Sequence, residues 1–202
     1  MKKLALLVVL ALALPMAAFA ASDVDYTNSG GTLSGSSSGL SLSGSALIAV
    51  NGLNGGALVT GSNLGTLTFS TGALTSGSLQ GNATFAGGGS FTITGNGSSG
   101  IPNGTLFTGT FTDPVMWQLV TLQNGTHNYT LTGALEGTTN TGFSTVGVTV
   151  QLTINTGKGF FNGSTRISSG DTNIVVPEPG SLTLLGTGLV GVAGAIRRKL
   201  KV

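Results

Sequence analysis

Apolar residues recur at every second position in a series of short stretches, and the clearest is VGVTVQLTI. Its alternation sets Val146, Val148, Val150, Leu152 and Ile154 on one side and polar or small residues on the other. Side chains of an extended chain point alternately to opposite faces, so this period predicts a strand with one buried face. The same rule pairs Leu67 with Phe69 in GTLTFST and Phe91 with Ile93 in SFTIT. In TLFTGTFT it opposes Phe107, Gly109 and Phe111 to Thr108, Thr110 and Thr112. VMWQLVTL groups Val115, Trp117 and Leu119, and HNYTLTGAL groups Tyr129, Leu131 and Gly133. Turn dipeptides punctuate these runs at Asn96-Gly97, Asn103-Gly104, Asp113-Pro114, Asn124-Gly125 and Asn162-Gly163. Asn-Gly supplies the positive φ angles that tight hairpins need.

Short strands at spacings of about 8 to 12 residues predict an all-β fold, an antiparallel β-sandwich or barrel. A β-solenoid is the alternative, favoured by a recurring Gly-x-x-Thr flavour and opposed by the lack of a fixed repeat length. From Ser29 to Ser45 the sequence SGGTLSGSSSGLSLSGS is low in complexity, with only Leu33, Leu40 and Leu42 as apolar residues. It reads as a flexible tether or a weak first strand.

Composition reinforces the strand reading. The 35 Gly among 202 residues, with abundant Ser, Thr and Asn, disfavour helix. With no Cys, disulfides and thiolate metal sites are excluded. Charge sits almost wholly at the ends: Lys2, Lys3, Arg197, Arg198, Lys199 and Lys201 are six of the eight bases. Between residues 21 and 196 only Lys158 and Arg166 face six acids, a net charge of −4. The overall positive charge therefore describes the termini, and nucleic acid is not expected as a partner.

Candidate chemistry is sparse. Gly95 to Gly100 fits G-x-G-x-x-G but is followed by Ile101-Pro102-Asn103-Gly104, a turn where a dinucleotide site needs a helix. His127 is the sole histidine and reads as a surface or turn residue at the start of a strand. A carboxylate pair for glycoside hydrolysis would have to come from Asp23, Asp25, Asp113, Glu136 and Asp171. The first two fall in the leader, Asp113 in a turn and Asp171 in a loop composition, so neither an enzyme nor a cofactor is expected. Thr108, Thr110 and Thr112 could present hydroxyls to a glycan or to ice.

The ends carry the strongest signals. Lys2-Lys3, the apolar run Leu4 to Leu14, Pro15 and the small residues around Ala18, Ala20 and Ala21 have the three parts of a secretory signal. Cleavage is expected after Ala20, and the Sec translocon and signal peptidase are the implied partners. At the other end, the uncharged run at residues 181–196 predicts one C-terminal transmembrane helix of roughly 24 Å, a little short of the ~30 Å of a hydrocarbon core, which spans if its flanking bases snorkel. The bases Arg197, Arg198 and Lys199 behind it would hold that end in the cytoplasm and leave residues 21–180 outside.

Pro177-Glu178-Pro179, a Leu- and Gly-rich apolar run, and Arg197-Arg198-Lys199 in this order resemble the PEP-CTERM sorting signal of exosortase-dependent bacteria. The resemblance covers only the tail. It implies recognition by an exosortase, a Gram-negative-type envelope, a membrane-anchored intermediate, and a product at the cell surface or in the extracellular polysaccharide matrix. Tails of this kind are sometimes labelled as ice-binding protein C-termini, although the tail concerns sorting. The expected organisation is a signal peptide at 1–20, a leader at 21–45, a β-rich extracellular domain at 46–175 and the sorting signal at 176–202, ending in a basic tail at 197–202. The expected function is an exported, exosortase-sorted protein with a structural or adhesive role and no catalysis. The alternative is a polysaccharide- or ice-binding module that uses a Thr/Asn-rich sheet face.

Overall fold

The computed structural model describes residues 22–112 and 114–176, and within them almost every apolar alternation has become a strand. The strands are β1 (Ser22–Ser29), β2 (Thr32–Ser36), β3 (Gly39–Asn51), β4 (Val59–Ser70), β5 (Leu74–Gly77), β6 (Ala83–Phe85) and β7 (Gly88–Asn96). They continue as β8 (Asn103–Phe111), β9 (Val115–Thr121), β10 (His127–Thr139), β11 (Ser144–Asn155), β12 (Ser164–Arg166) and β13 (Ser169–Val176). A single 3-10 turn at Leu53–Gly55 interrupts the pattern.

The registers resolve these thirteen strands into eight paths. β1 and β2 run one after the other along the same edge of β3, with Ser29 opposite Ala46 and Thr32 opposite Ser43. In the same way β8 and β9 share one edge of β10, where Phe111 meets Leu135 and Met116 meets Thr132. β6 continues into β7, β4 into β5, and β12 into β13. Each path pairs with the next in the chain, and β13 lies between β11 and β1. The result is a closed, antiparallel, eight-stranded barrel that meanders up and down. Closure leaves the long paths without a free edge, which a sandwich would retain. Neither the sandwich nor the solenoid describes the chain.

The inside is a packed core. Leu47, Leu67, Phe91, Ile93, Phe107, Trp117, Tyr129, Leu131, Leu152 and Ile154 are all fully buried in one hydrophobic cluster. Each such side chain contributes about 1.5–3 kcal/mol over leaving it in water. Eight strands enclose a width that side chains can fill, so the barrel stands on its contents. Outward positions carry Thr, Ser, Asn and Gly, for example Thr66, Thr68, Thr108 and Thr110. A membrane barrel has the reverse alternation, apolar outside and polar inside. Among the described residues no helix is long and apolar enough to cross a membrane, and the run at 181–196 lies outside them.

Two stretches depart from the alternation read in the sequence. Residues 22–45, read as a low-complexity leader with a flexible tether or a weak first strand, form β1, β2 and the first half of β3, and Leu33, Leu40 and Leu42 are core residues. Each of these leucines has a long-range partner strand, which local composition cannot reveal. Gly30 and Gly31 both take positive φ where β1 passes into β2. A Cβ on Gly31 would come within 2.6 Å of the Ser45 backbone nitrogen, so this low-complexity glycine is required by packing. The second departure is Val146, which is 79% exposed while Thr145 is buried. The register of β10 with β11 shifts between Leu135 and Glu136, and Gly147 adopts φ +75°. That bulge inserts one residue and reverses the phase of everything before it.

Candidate functional site

The outer wall carries a regular array of hydroxyls. Thr68 of β4 stands opposite Thr92 of β7, Thr92 opposite Thr108 of β8, Thr108 opposite Thr138 of β10, and Thr138 opposite Ser144 of β11. Five adjacent strands thus place Thr or Ser in one outward row, at about 4.8 Å per strand. A neighbouring row runs through Thr66, Thr94 and Thr105, and Ser70 hydrogen bonds Ser90 at 3.1 Å between the same sheets of strands. Thr108 and Thr110 point outward as expected. Thr112 lies beyond the end of β8 and donates to the Ala134 carbonyl at 3.5 Å, so it belongs to the strand break instead.

On the neighbouring wall, β9, β10, β11 and β13 form a shallow outer groove of about 470 Å³. One row crosses it as Met116, Thr132, Gln151 and Asp171 in successive register. The next row is Ala134, Thr149 and Asn173. The floor is low because Ala134 is the smallest outward side chain there, and Pro114, just before β9, lines one end.

Acidic residues gather beside this groove. Asp171, expected in a loop, lies in β13, next to β1 with Asp23 and Asp25. Partial burial, then the charges of Asp171 and Asp23, raise the Asp25 carboxyl above its ordinary value. Among the described residues no group of three or more His, Asp or Glu could hold a metal ion. Glu136 lies on β10, opposite Thr110.

His127 is not a surface residue. It is 8% exposed, its Nδ1 lies 3.0 Å from the Thr121 hydroxyl, and its ring stacks on Phe160 at 4.2 Å. Its position first in a strand was legible, whereas the Phe160 lid comes from the loop between β11 and β12. The Gly95 to Gly100 motif is a turn, with Ser99 and Gly100 at positive φ, and no helix follows. The groove was missed in the sequence because its residues come from four stretches that only the barrel brings together.

The terminal positions Ala18, Ala20, Ala21, Pro177, Glu178, Pro179, Arg197, Arg198 and Lys199 lie outside the described residues. What the structure adds is where the chain leaves the barrel. β13 runs to Val176, directly before Pro177, and its partners are β11 and β1. No curated protein and no solved structure matches the chain. Residues 175–199 match the family model of the PEP-CTERM protein-sorting motif, which marks the chain for export to the cell envelope or surface with an exosortase as processing partner.

Proposed function

We propose that this chain is an exosortase-sorted protein whose barrel has a structural or adhesive role, without catalysis, at the cell surface or in the extracellular matrix. The observation that carries the reading is the sorting motif at residues 175–199. The tripeptide Pro177-Glu178-Pro179 is the sequence a processing enzyme would read. Export through the Sec translocon, removal of residues 1–20 by signal peptidase and a membrane-anchored intermediate complete the route. A closed barrel with a charge-poor, hydroxyl-rich exterior suits a hydrated matrix, since it offers no free long edge for uncontrolled pairing.

The test is the intact mass of the mature protein from its own host, taken separately from membrane and medium. A C-terminus close to Pro177-Glu178-Pro179, lost on Glu178→Ala or on deletion of the exosortase, is the expected result. A mass extending to Val202 in the membrane fraction would replace sorting with permanent tail anchoring.

A second reading, binding of polysaccharide or ice, draws on the outward row Thr68, Thr92, Thr108, Thr138 and Ser144. The row bends with a twisted, closed sheet, whereas an ice surface is a flat lattice. Curvature therefore favours a flexible hydrated polymer over ice, and absence of thermal hysteresis is expected.

A further inference from the structure

We propose that the outer groove across β9, β10, β11 and β13 is a binding site for an uncharged polysaccharide chain. This goes beyond the sorting reading, whose mass test succeeds or fails independently. The argument starts from the groups that converge there. Gln151 and Asn173 each bring an amide with a donor and an acceptor side, Asp171 brings a carboxylate acceptor, and Thr132 and Thr149 bring hydroxyls. Among the described residues, the side-chain hydrogen bonds made by its outer wall are those of Thr84 with Met116 Sδ, at 4.0 Å, and of Thr112 with the Ala134 carbonyl. Neither uses the amide, carboxylate or hydroxyl head groups of the two rows. These groups are therefore available to a ligand rich in paired hydroxyls.

The floor supplies the complementary half. Met116 and Ala134, at the β9–β10 end of the two rows, and Pro114 give an apolar patch next to their polar members, with Met116 41% exposed. A pyranose ring has the same division, with C–H groups on its faces and hydroxyls at its rim. The volume of about 470 Å³ lies within the range of about 300–1,000 Å³ typical of small-ligand sites, and the open shape lets a polymer continue past it.

Charge decides which polymer. Among the described residues no Lys or Arg lines the groove, and Asp171 stands there with Asp25 and Asp23 on the adjacent strand. An anionic glycan would meet like charge without a compensating base. A neutral chain meets only acceptors and donors.

The test is affinity electrophoresis of the full chain in a polyoxyethylene detergent, chosen because it has no sugar headgroup. Native gels contain dextran, hydroxyethyl cellulose, galactomannan or, as the anionic probe, alginate. Retardation by at least one neutral polymer and none by alginate is expected. Gln151→Ala and Asp171→Ala should each weaken it by about fivefold, the loss of one net hydrogen bond. Ala134→Phe, which fills the floor from the solvent side, should abolish it. Thr32→Val and Thr60→Val, exposed on β2 and β4 outside both the groove and the hydroxyl row, should leave it unchanged. Near-UV circular dichroism of Trp117 reports whether each variant keeps its core, and Gln151→Ala serves if Ala134→Phe does not fold. Passage of the wild type unretarded through every neutral gel overturns the proposal. So does retardation that survives the groove variants, falls equally with the Thr variants, or occurs only in alginate.

Discussion

Two aromatic groups share the barrel core and hold it differently. Phe69, Phe91, Phe107 and Phe111, from β4, β7 and β8, have side chains that interact by ring packing alone. Phe69 and Phe91 are stacked at 6.1 Å, and Phe111 meets them edge-on at 5.9 and 6.0 Å. Trp117, Tyr129 and Phe161 pack as closely, with Trp117 stacked on Tyr129 at 4.8 Å, but each of the first two also has a polar handle. Trp117 Nε1 donates to the Leu79 carbonyl, and the Tyr129 hydroxyl donates to the Gln80 carbonyl while accepting from the Phe161 amide. Asn82 Oδ1 adds a bond from the Leu119 amide. The phenylalanines stabilise strands that already pair with each other. The Trp117 group fastens two loops, residues 78–82 and the segment leading to Phe161, onto the same core. Buried aromatic area is common to both, and hydrogen-bonded loop attachment belongs to one.

The largest effects should be equal in size and different in kind. Trp117→Ala and Phe91→Ala each remove a fully buried ring and should lower the unfolding free energy by about 3–5 kcal/mol, read from chemical denaturation of the full chain. Only Trp117→Ala should also open residues 78–82 to protease below the global transition. Identical digestion patterns for the two variants would erase the distinction. Tyr129→Phe keeps the ring and removes both hydroxyl bonds, so a loss of about 1–2 kcal/mol is expected, with faster hydrogen exchange at the Phe161 amide. An unchanged Phe161 amide would mean that packing alone holds the loop.

The smallest effect is a control on the outer wall. In the folded barrel Asp25 holds its proton more tightly than in the unfolded chain, so its ionisation costs stability as pH rises above the ordinary value of 3.8. Asp25→Asn should therefore raise the thermal midpoint at pH 7, and the gain should vanish below that ordinary value, where both states are protonated. A gain that persists in acid would assign the effect to something other than charge. Neither aromatic group should respond.

Strands were legible wherever alternation ran without interruption, as in Leu67 and Phe69 or Val148 through Ile154, because one buried face imposes a period of two. The Trp117 and Tyr129 side chains were legible as buried, but their loop partners Leu79 and Gln80 were not. Those contacts span 38 and 49 residues of sequence. His127 was misread for the same reason, since Phe160 covers it from another hairpin. The groove escaped notice because Thr132, Gln151 and Asp171 become neighbours only through register.

By itself the sequence determined an all-β chain with a charge-poor body and a sorting signal at its C-terminus. Both are local properties: an alternation of adjacent residues, and an ordered run of Pro-Glu-Pro, apolar and basic residues. Tertiary structure decided that the sheet closes, that residues 22–45 belong to it, and that Val146 faces water. Closure depends on β13 finding β1 across most of the chain, and facing depends on where a bulge inserts a residue. Such choices are made by pairing energy between distant segments, which no local pattern encodes.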